Sequence, residues 1–285
     1  MPRNRSLPGL FCLVWIPFNA QAVEHRSLID LLEHHLIEVK PIGLGGHTGE
    51  CVDVNVRNLS VGPVHTTIPV GWVFTSRVPE VQDLIVVREE VLAIAGGATR
   101  SVSCRAFCCE ASGSGPDTGE IYRAGRPASK KLAEVAQAIA RGEYSDDVAQ
   151  NAIWVLSDAN DIASMGAMDS TGQDTLRLAV SRISGQPVPL HSLWYAQEEG
   201  RVCSQRPASI QRRVRYDSPA GTLFTAVVLD GAGNVVRVLN DHEVLAPGPH
   251  TITFDLDVRD WPFGRYAIHA HSLDRPGVHR MPFTL

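Results

Sequence analysis

Basic charge is not concentrated anywhere in this sequence: 26 Lys and Arg are outnumbered by 31 Asp and Glu, for a net charge of −5. With no basic stripe to neutralise phosphates, no nucleic acid is expected as a partner. Beyond residue 22 no stretch approaches the roughly 20 apolar residues of a membrane helix, so no transmembrane segment is expected in the mature chain. Familiar catalytic signatures are missing too. There is no Gly-x-Ser-x-Gly elbow, no His-Glu-x-x-His helix and no phosphate-cradling glycine loop, which leaves an enzyme as the least supported class. Zinc is not expected, because Cys104 and Cys108 have no second ligand pair at finger-like spacing and the histidines are scattered. Asp158-Ala159-Asn160-Asp161 offers too few oxygen ligands for a calcium loop. No metal or cofactor is therefore expected. Fixed-period repeats and low-complexity tracts are also absent.

What is present begins with a leader. A basic Pro2-Arg3-Asn4-Arg5, an apolar run from Leu7 to Phe18 broken by Pro8 and Pro17, and a small-x-small Ala20-Gln21-Ala22 have the layout of a cleavable signal peptide over residues 1–22. Export follows: the mature chain is expected to be secreted or held at the outer cell surface, with the periplasm as the alternative. A content of 44% hydrophobic and 20% charged residues is that of a folded protein with one or two cores.

Cys12 falls in the leader and leaves Cys51, Cys104, Cys108, Cys109 and Cys203. In an oxidising compartment cysteines are expected to pair, but five is odd, so at least one sulfur is free, paired between chains or used otherwise. Cys51 and Cys104 fall on separate strands of one region, where a bridge would contribute about 3 to 5 kcal/mol. Cys203 could pair with Cys109, which would leave Cys108 free. Connectivity is not deducible from sequence.

Hydropathy patterning divides the chain in three. Ile37 to Ile42, Cys51 to Leu59, Val70 to Ser76, Leu84 to Leu92 and Thr99 to Cys108 read as strands, with Val52, Val54 and Val56 alternating against Asp53, Asn55 and Arg57. Their regular spacing points to a β-sandwich. Ser27 can cap a short helix at 28–32. After a flexible loop at 111–117 the pattern turns helical over about 129–185. Ser129 can cap a helix ended by Gly142, Ser145-Asp146-Asp147 suits the start of a second one that stops around Asp158, and a third spans Gln173 to Ile183. Strands return at Ser209 to Tyr216, Thr222 to Leu229, Asn234 to Leu239, His250 to Leu256 and Gly264 to His271, with a glycine-bearing hairpin at 230–234. Proline-rich punctuation at Pro187-Val188-Pro189 and Arg206-Pro207 places a boundary near residue 205. The expected fold is mainly β with a helical insertion (α+β), organised as 23–205 and 206–285.

Two family resemblances sit on this frame. Val228-Leu229-Asp230-Gly231-Ala232-Gly233-Asn234, Gly248-Pro249-His250 and Gly264-Arg265-Tyr266 resemble the hairpin, strand entry and last strand of the immunoglobulin-like module of flagellar hook-cap proteins and of bacterial surface proteins. That resemblance implies a C-terminal immunoglobulin-like β-sandwich acting as a spacer, which in some lineages is read by export or sorting machinery. Phe254-Asp255 only roughly occupies the place of the family's aromatic-aspartate pair.

Phe107-Cys108-Cys109-Glu110 and Ala149-Gln150-Asn151-Ala152-Ile153-Trp154 resemble the paired motifs of the thioester domains of bacterial surface adhesins, with looser similarity over about 36–185. Ala149 stands where the family has a larger residue, a second cysteine follows the first, and the segment between the motifs is short. The resemblance implies a β-sandwich-type thioester domain in which Cys108 is joined to Gln150, with Trp154 and Cys109 in support.

The chemistry is sound on its own terms. A thiolate attacks a carboxamide held beside it, ammonia leaves, and an activated acyl group remains. Proximity of strand-borne sulfur and helix-borne carboxamide supplies most of the rate. Gln150 and Trp154, four apart, share a helix face, where the indole can shield the bond. Equally, Gln150 can simply hydrogen-bond a strand end while Ala152, Ile153 and Trp154 pack in the core. The two functional expectations are an adhesin that acylates an unknown surface ligand, protein or glycan, and a non-reactive structural or binding component of the envelope.

Overall fold

A computed structural model describes residues 25–166, 171–199, 201–218, 220–273 and 275–285. The expected leader over 1–22, with Cys12, lies outside the described residues. The chain is mainly β, with helices gathered in the middle.

Alternation sets the first region. Val52, Val54 and Val56 on β2 (Glu50–Asn58) are fully buried, as are Cys104, Ala106 and Cys108 on β7 (Thr99–Cys108). With β1 (Ile37–Leu44), β4 (Trp72–Ser76), β5 (Leu84–Val86) and β8 (Thr118–Pro127) they form a closed barrel in the order β1-β2-β7-β5-β4-β8. The strand spacing points to a sandwich, and the barrel differs from it because of β8, which the sequence pattern leaves between a loop and a helix. β8 pairs with β1 on one edge and β4 on the other, which closes the sheet. The closure depends on Gly125, whose φ is +93° and where a Cβ would lie 2.3 Å from the Val73 carbonyl oxygen. Beside it the Trp72 indole donates to the Ala124 carbonyl at 2.8 Å.

The expected strand Leu84 to Leu92 is two elements. β5 stays in the barrel, while β6 (Glu90–Ile94) leaves to pair with β3 (Val64–Ile68). That ribbon and α1 (Leu28–Glu33) pack on the cluster that fills the barrel. Ser27 caps α1, its Oγ accepting the Asp30 N–H at 3.1 Å.

The other face of β4, β5 and β7 presents Val73, Ile85 and Phe107, with Cys109 just past the end of β7, to a helical layer. It is built from α2 (Lys130–Ala140), α3 (Asp146–Ser157), a 3-10 turn at Ile162–Met165 and α4 (Thr171–Ser184). Val135, Ala136, Ile139, Ala152, Ile153, Leu176 and Val180 fill the space between helices and barrel.

The last region has two antiparallel sheets. One is β13 (Gly248–Asp257), β10 (Pro207–Ser218) and β9 (Ser192–Tyr195); the other is β12 (Val235–Leu245), β11 (Thr222–Asp230), β14 (Arg265–Ser272) and β15 (Arg275–Thr284). Ile210, Tyr216, Phe254 and Leu256 from the first sheet meet Phe224, Val228, Ile268 and Phe283 from the second in one core. Asp230 fixes the β11–β12 hairpin by accepting from the backbone of Ala232 and Asn234, at 2.9 Å each. The core also draws on residues ahead of 206: Leu193 on β9 faces Ile210, and Ala163 of the 3-10 turn joins the cluster.

Candidate functional site

The site lies where β7 outruns β2. Their pairing ends at Glu50 opposite Arg105, so the last three residues of β7 have no strand on that edge. The loop before β2 takes over: Ala106 N–H donates to the Gly49 carbonyl at 2.8 Å, and Cys108 N–H to the His47 carbonyl at 3.2 Å. At this bare edge α3 delivers Gln150. Its Oε1 accepts from the Cys108 N–H at 3.0 Å and its Nε2 donates to the Cys108 carbonyl at 2.7 Å. The carboxamide thus stands in for the missing strand, which is how a buried backbone edge avoids unpaired groups. On the opposite edge Cys109 N–H donates to the Asp83 carbonyl at 2.8 Å.

Sequence places α3 for this role. Ser145-Asp146-Asp147 puts acidic residues at the helix N-terminus, where the macrodipole favours them. Arg105 of β7 pairs with Asp146 and ties the start of the helix to the strand. Gln150 is buried, 2% exposed, among the apolar residues of the same helix.

The two motif cysteines face opposite ways, as strand alternation requires. Cys108 belongs to the cluster inside the barrel with Cys51, Cys104 and Tyr122, whereas Cys109 belongs to the cluster beneath the helices. All five cysteines of the described residues are buried free thiols, so neither expected bridge, Cys51 to Cys104 nor Cys109 to Cys203, is present. For the second pair packing gives the reason: Cys203 sits with Ala111 and Trp154 in a separate cluster. Cys51 instead donates its thiol to the Ala106 carbonyl at 3.4 Å. Burial pushes the thiols of Cys51 and Cys104 up to about 12 and holds Cys108 and Cys109 protonated as well.

Trp154 lies one turn after Gln150 and is 5% exposed. Its ring is stacked on His47, centroids 6.5 Å apart and planes 14° apart, and its Nε1 has no hydrogen-bond partner. Burial lowers the His47 pKa, against the opposing pull of Asp147 and Asp146. A cleft of about 330 Å³ opens here, lined among others by His47, Gln150, Asn151, Trp154, Tyr195 and Cys203. The structure therefore brings Gln150 to the Cys108 backbone and sets Trp154 beside Gln150 in the cleft, turns Cys109 away from Cys108, and adds His47 and Tyr195. His47 carries little sequence signal, since Gly45-Gly46-His47 reads as a turn. It lies over Trp154 because the loop before β2 runs on along β7, the His47 carbonyl taking the Cys108 N–H.

Nearby, desolvation by the surrounding protein raises the Glu110 carboxyl to about 7 although the residue reaches the surface, with Asp83 and Asp158 adding to the effect, while its Oε2 accepts from the Asp83 N–H at 2.8 Å. Among the described residues no group of three or more His, Cys, Asp or Glu is placed to hold a metal ion. No described helix is long and apolar enough to cross a membrane.

Chemically, the arrangement presents a carboxamide whose carbonyl oxygen is already hydrogen-bonded to a main-chain N–H, beside a cysteine in a water-poor setting. The chain matches no family model, and a search of curated proteins finds no significant match.

Proposed function

We propose that this chain is an exported cell-surface or envelope protein that uses Cys108 and Gln150 as an internal acylating group for adhesion. One observation carries the reading: strand β7 and helix α3, through residues 42 apart in sequence, hold the Gln150 carboxamide against Cys108. In the reaction the Cys108 sulfur attacks Gln150 Cδ and forms an S–C bond. The C–N bond to Nε2 breaks, the thiol proton goes to the leaving nitrogen, and ammonia departs. The Cys108 N–H, already on Oε1, is placed to stabilise the negative charge that grows there. A surface ligand bearing an amine or hydroxyl, protein or glycan, then takes the acyl group from sulfur and restores the thiol. Each chain spends its bond once, so the protein acts stoichiometrically and is not an enzyme.

In this reading the barrel with its helices is the thioester domain. The two-sheet C-terminal region is an immunoglobulin-like spacer, available to export or sorting machinery. Trp154 and His47 wall the cleft through which a ligand reaches Gln150. Peptide mapping without reductant tests it: the Cys108 and Gln150 peptides are expected to run as one linked species that hydroxylamine separates. Recovery of both as free peptides from freshly purified protein would reject the bond.

A specific observation favours a second reading. Cys108 faces the barrel interior with a strongly held proton, and both polar ends of Gln150 are satisfied by the Cys108 backbone. A non-reactive envelope component, with Gln150 as a structural strand cap, needs nothing more.

A further inference from the structure

Strand β10 turns Ile210, Arg212, Val214, Tyr216 and Ser218 to one face, and the buried members Ile210 and Tyr216 show that this face is the core. Arg212 is thus an arginine in a core register, directly across from the buried Phe254 of β13. Its Nε is shut off from solvent and has no hydrogen-bond partner, and burial alone, with no carboxylate opposing it, lowers the guanidinium pKa. Arg212 borders a cavity of about 530 Å³ between the two sheets, roofed by the strap 186–191. Ile268, Met281 and Phe283 of the facing sheet form its apolar wall. Such a volume falls within the roughly 300–1,000 Å³ of small-molecule sites.

Arg212 and His191 both line the cavity, near enough for the guanidinium to act on the imidazole. His191 lines the cavity with its ring edge-on to Phe283, centroids 6.1 Å apart; burial lowers its pKa, with Arg177 and Arg212 adding to the effect against Asp161, and the imidazole carries an N–H to give. Asp161 is the acidic group of the lining, but its carboxylate is engaged in capping the 3-10 turn, accepting the Ala163 N–H at 2.7 Å. A half-buried guanidinium without a counter-charge is costly unless something supplies one. Planar, forked donors match a carboxylate best.

We propose that this cavity binds an amphiphilic carboxylate, a medium-chain fatty acid in its simplest form, with the head group on Arg212 and His191 and the hydrocarbon against Ile268, Met281 and Phe283. The site is separate from Cys108 and Gln150 and does not depend on their chemistry.

The test uses the full chain and laurate as probe, followed by isothermal titration calorimetry. Laurate is expected to bind at micromolar concentration, at least tenfold more tightly than 1-dodecanol, which has the chain without the charge. Arg212→Met should weaken laurate at least tenfold and leave dodecanol within about twofold, with an unchanged or raised melting temperature that shows the variant folds. Met281→Trp, which fills the cavity and keeps Arg212, should weaken both probes. Failure of laurate to bind the wild-type chain below its micellar concentration, or equal binding to Arg212→Met, would overturn the proposal. If Arg212→Met does not fold, the laurate-to-dodecanol ratio and Met281→Trp decide it alone.

Discussion

Gln150 lies against Cys108 as one peptide unit lies against another, giving a hydrogen bond to its carbonyl at 2.7 Å and taking one from its N–H at 3.0 Å. Because both ends of the carboxamide are used, the two halves of its role can be separated. Gln150→Ala leaves the buried Cys108 carbonyl without this donor, although its N–H keeps the His47 carbonyl. The expected loss is about 1 to 3 kcal/mol of folding stability, the usual penalty for a stranded buried group. Gln150→Glu keeps an acceptor, loses the donor and adds a charge, so it should be at least as destabilising near pH 7 and recover in mild acid. Urea titrations of the variants at two pH values read both effects.

The elements differ in how far the sequence alone indicates them. β7 runs from Thr99 to Cys108 as its pattern indicates, and α3 (Asp146–Ser157) lies between Ser145 and Asp158 as the sequence indicates, although the Ser145 side chain makes no capping hydrogen bond. These are local signals, set by alternation and by polar groups at a helix end. β8 is not legible, because Gly119, Gly125 and its charged residues resemble a loop and its strand character comes from partners far away in sequence, from Ser76 opposite Tyr122 to Ile42 opposite Ile121. The family resemblance implies a bond between Cys108 and Gln150, whereas the contact present is a pair of hydrogen bonds between the carboxamide and the Cys108 backbone, the strand-end contact that the sequence equally allows. Its cause, the start of β2 only at Glu50, opposite Arg105, is a register effect that only the assembled sheet displays. Opposite orientations of Cys108 and Cys109 follow from alternation alone and could have been read from the strand.

The Glu110 carboxyl supplies a pH test. Desolvation raises it from 4.5 to about 7 in the folded protein, so above pH 4.5 the unfolded chain ionises first. Its contribution is fully present below pH 4.5 and is lost as pH rises toward about 7. Glu110→Gln should flatten the stability profile over that window. An equally steep decline in the variant would assign the slope to other groups.

Trp154 is a core residue as well as a wall of the cleft. Trp154→Ala is expected to cost about 3 to 5 kcal/mol, the usual range for a buried aromatic. Trp154→Phe should cost far less, because the indole Nε1 has no partner to lose. Thermal melts establish the order. In the acylating reading, Trp154→Phe should also shorten the lifetime of the bond in water, which free-thiol release with time records.

β9 makes the C-terminal region longer than its proline punctuation indicates. A fragment of residues 206–285 lacks Leu193, which is 4% exposed and faces Ile210. A fragment beginning at residue 190 should be more stable by at least the value of burying one leucine, about 1.5 to 3 kcal/mol. Equal melting temperatures for the two fragments would show that β9 adds nothing to that core.

The central claim is a covalent bond between Cys108 and Gln150, and the intact mass of freshly purified native protein tests it most directly. The account predicts a chain lighter than its sequence by one ammonia, becoming one methylene heavier than the sequence after methylamine, with neither change in Cys108→Ala. A native mass equal to that of the unmodified sequence and unmoved by methylamine would contradict it, leaving Gln150 as the cap of a strand.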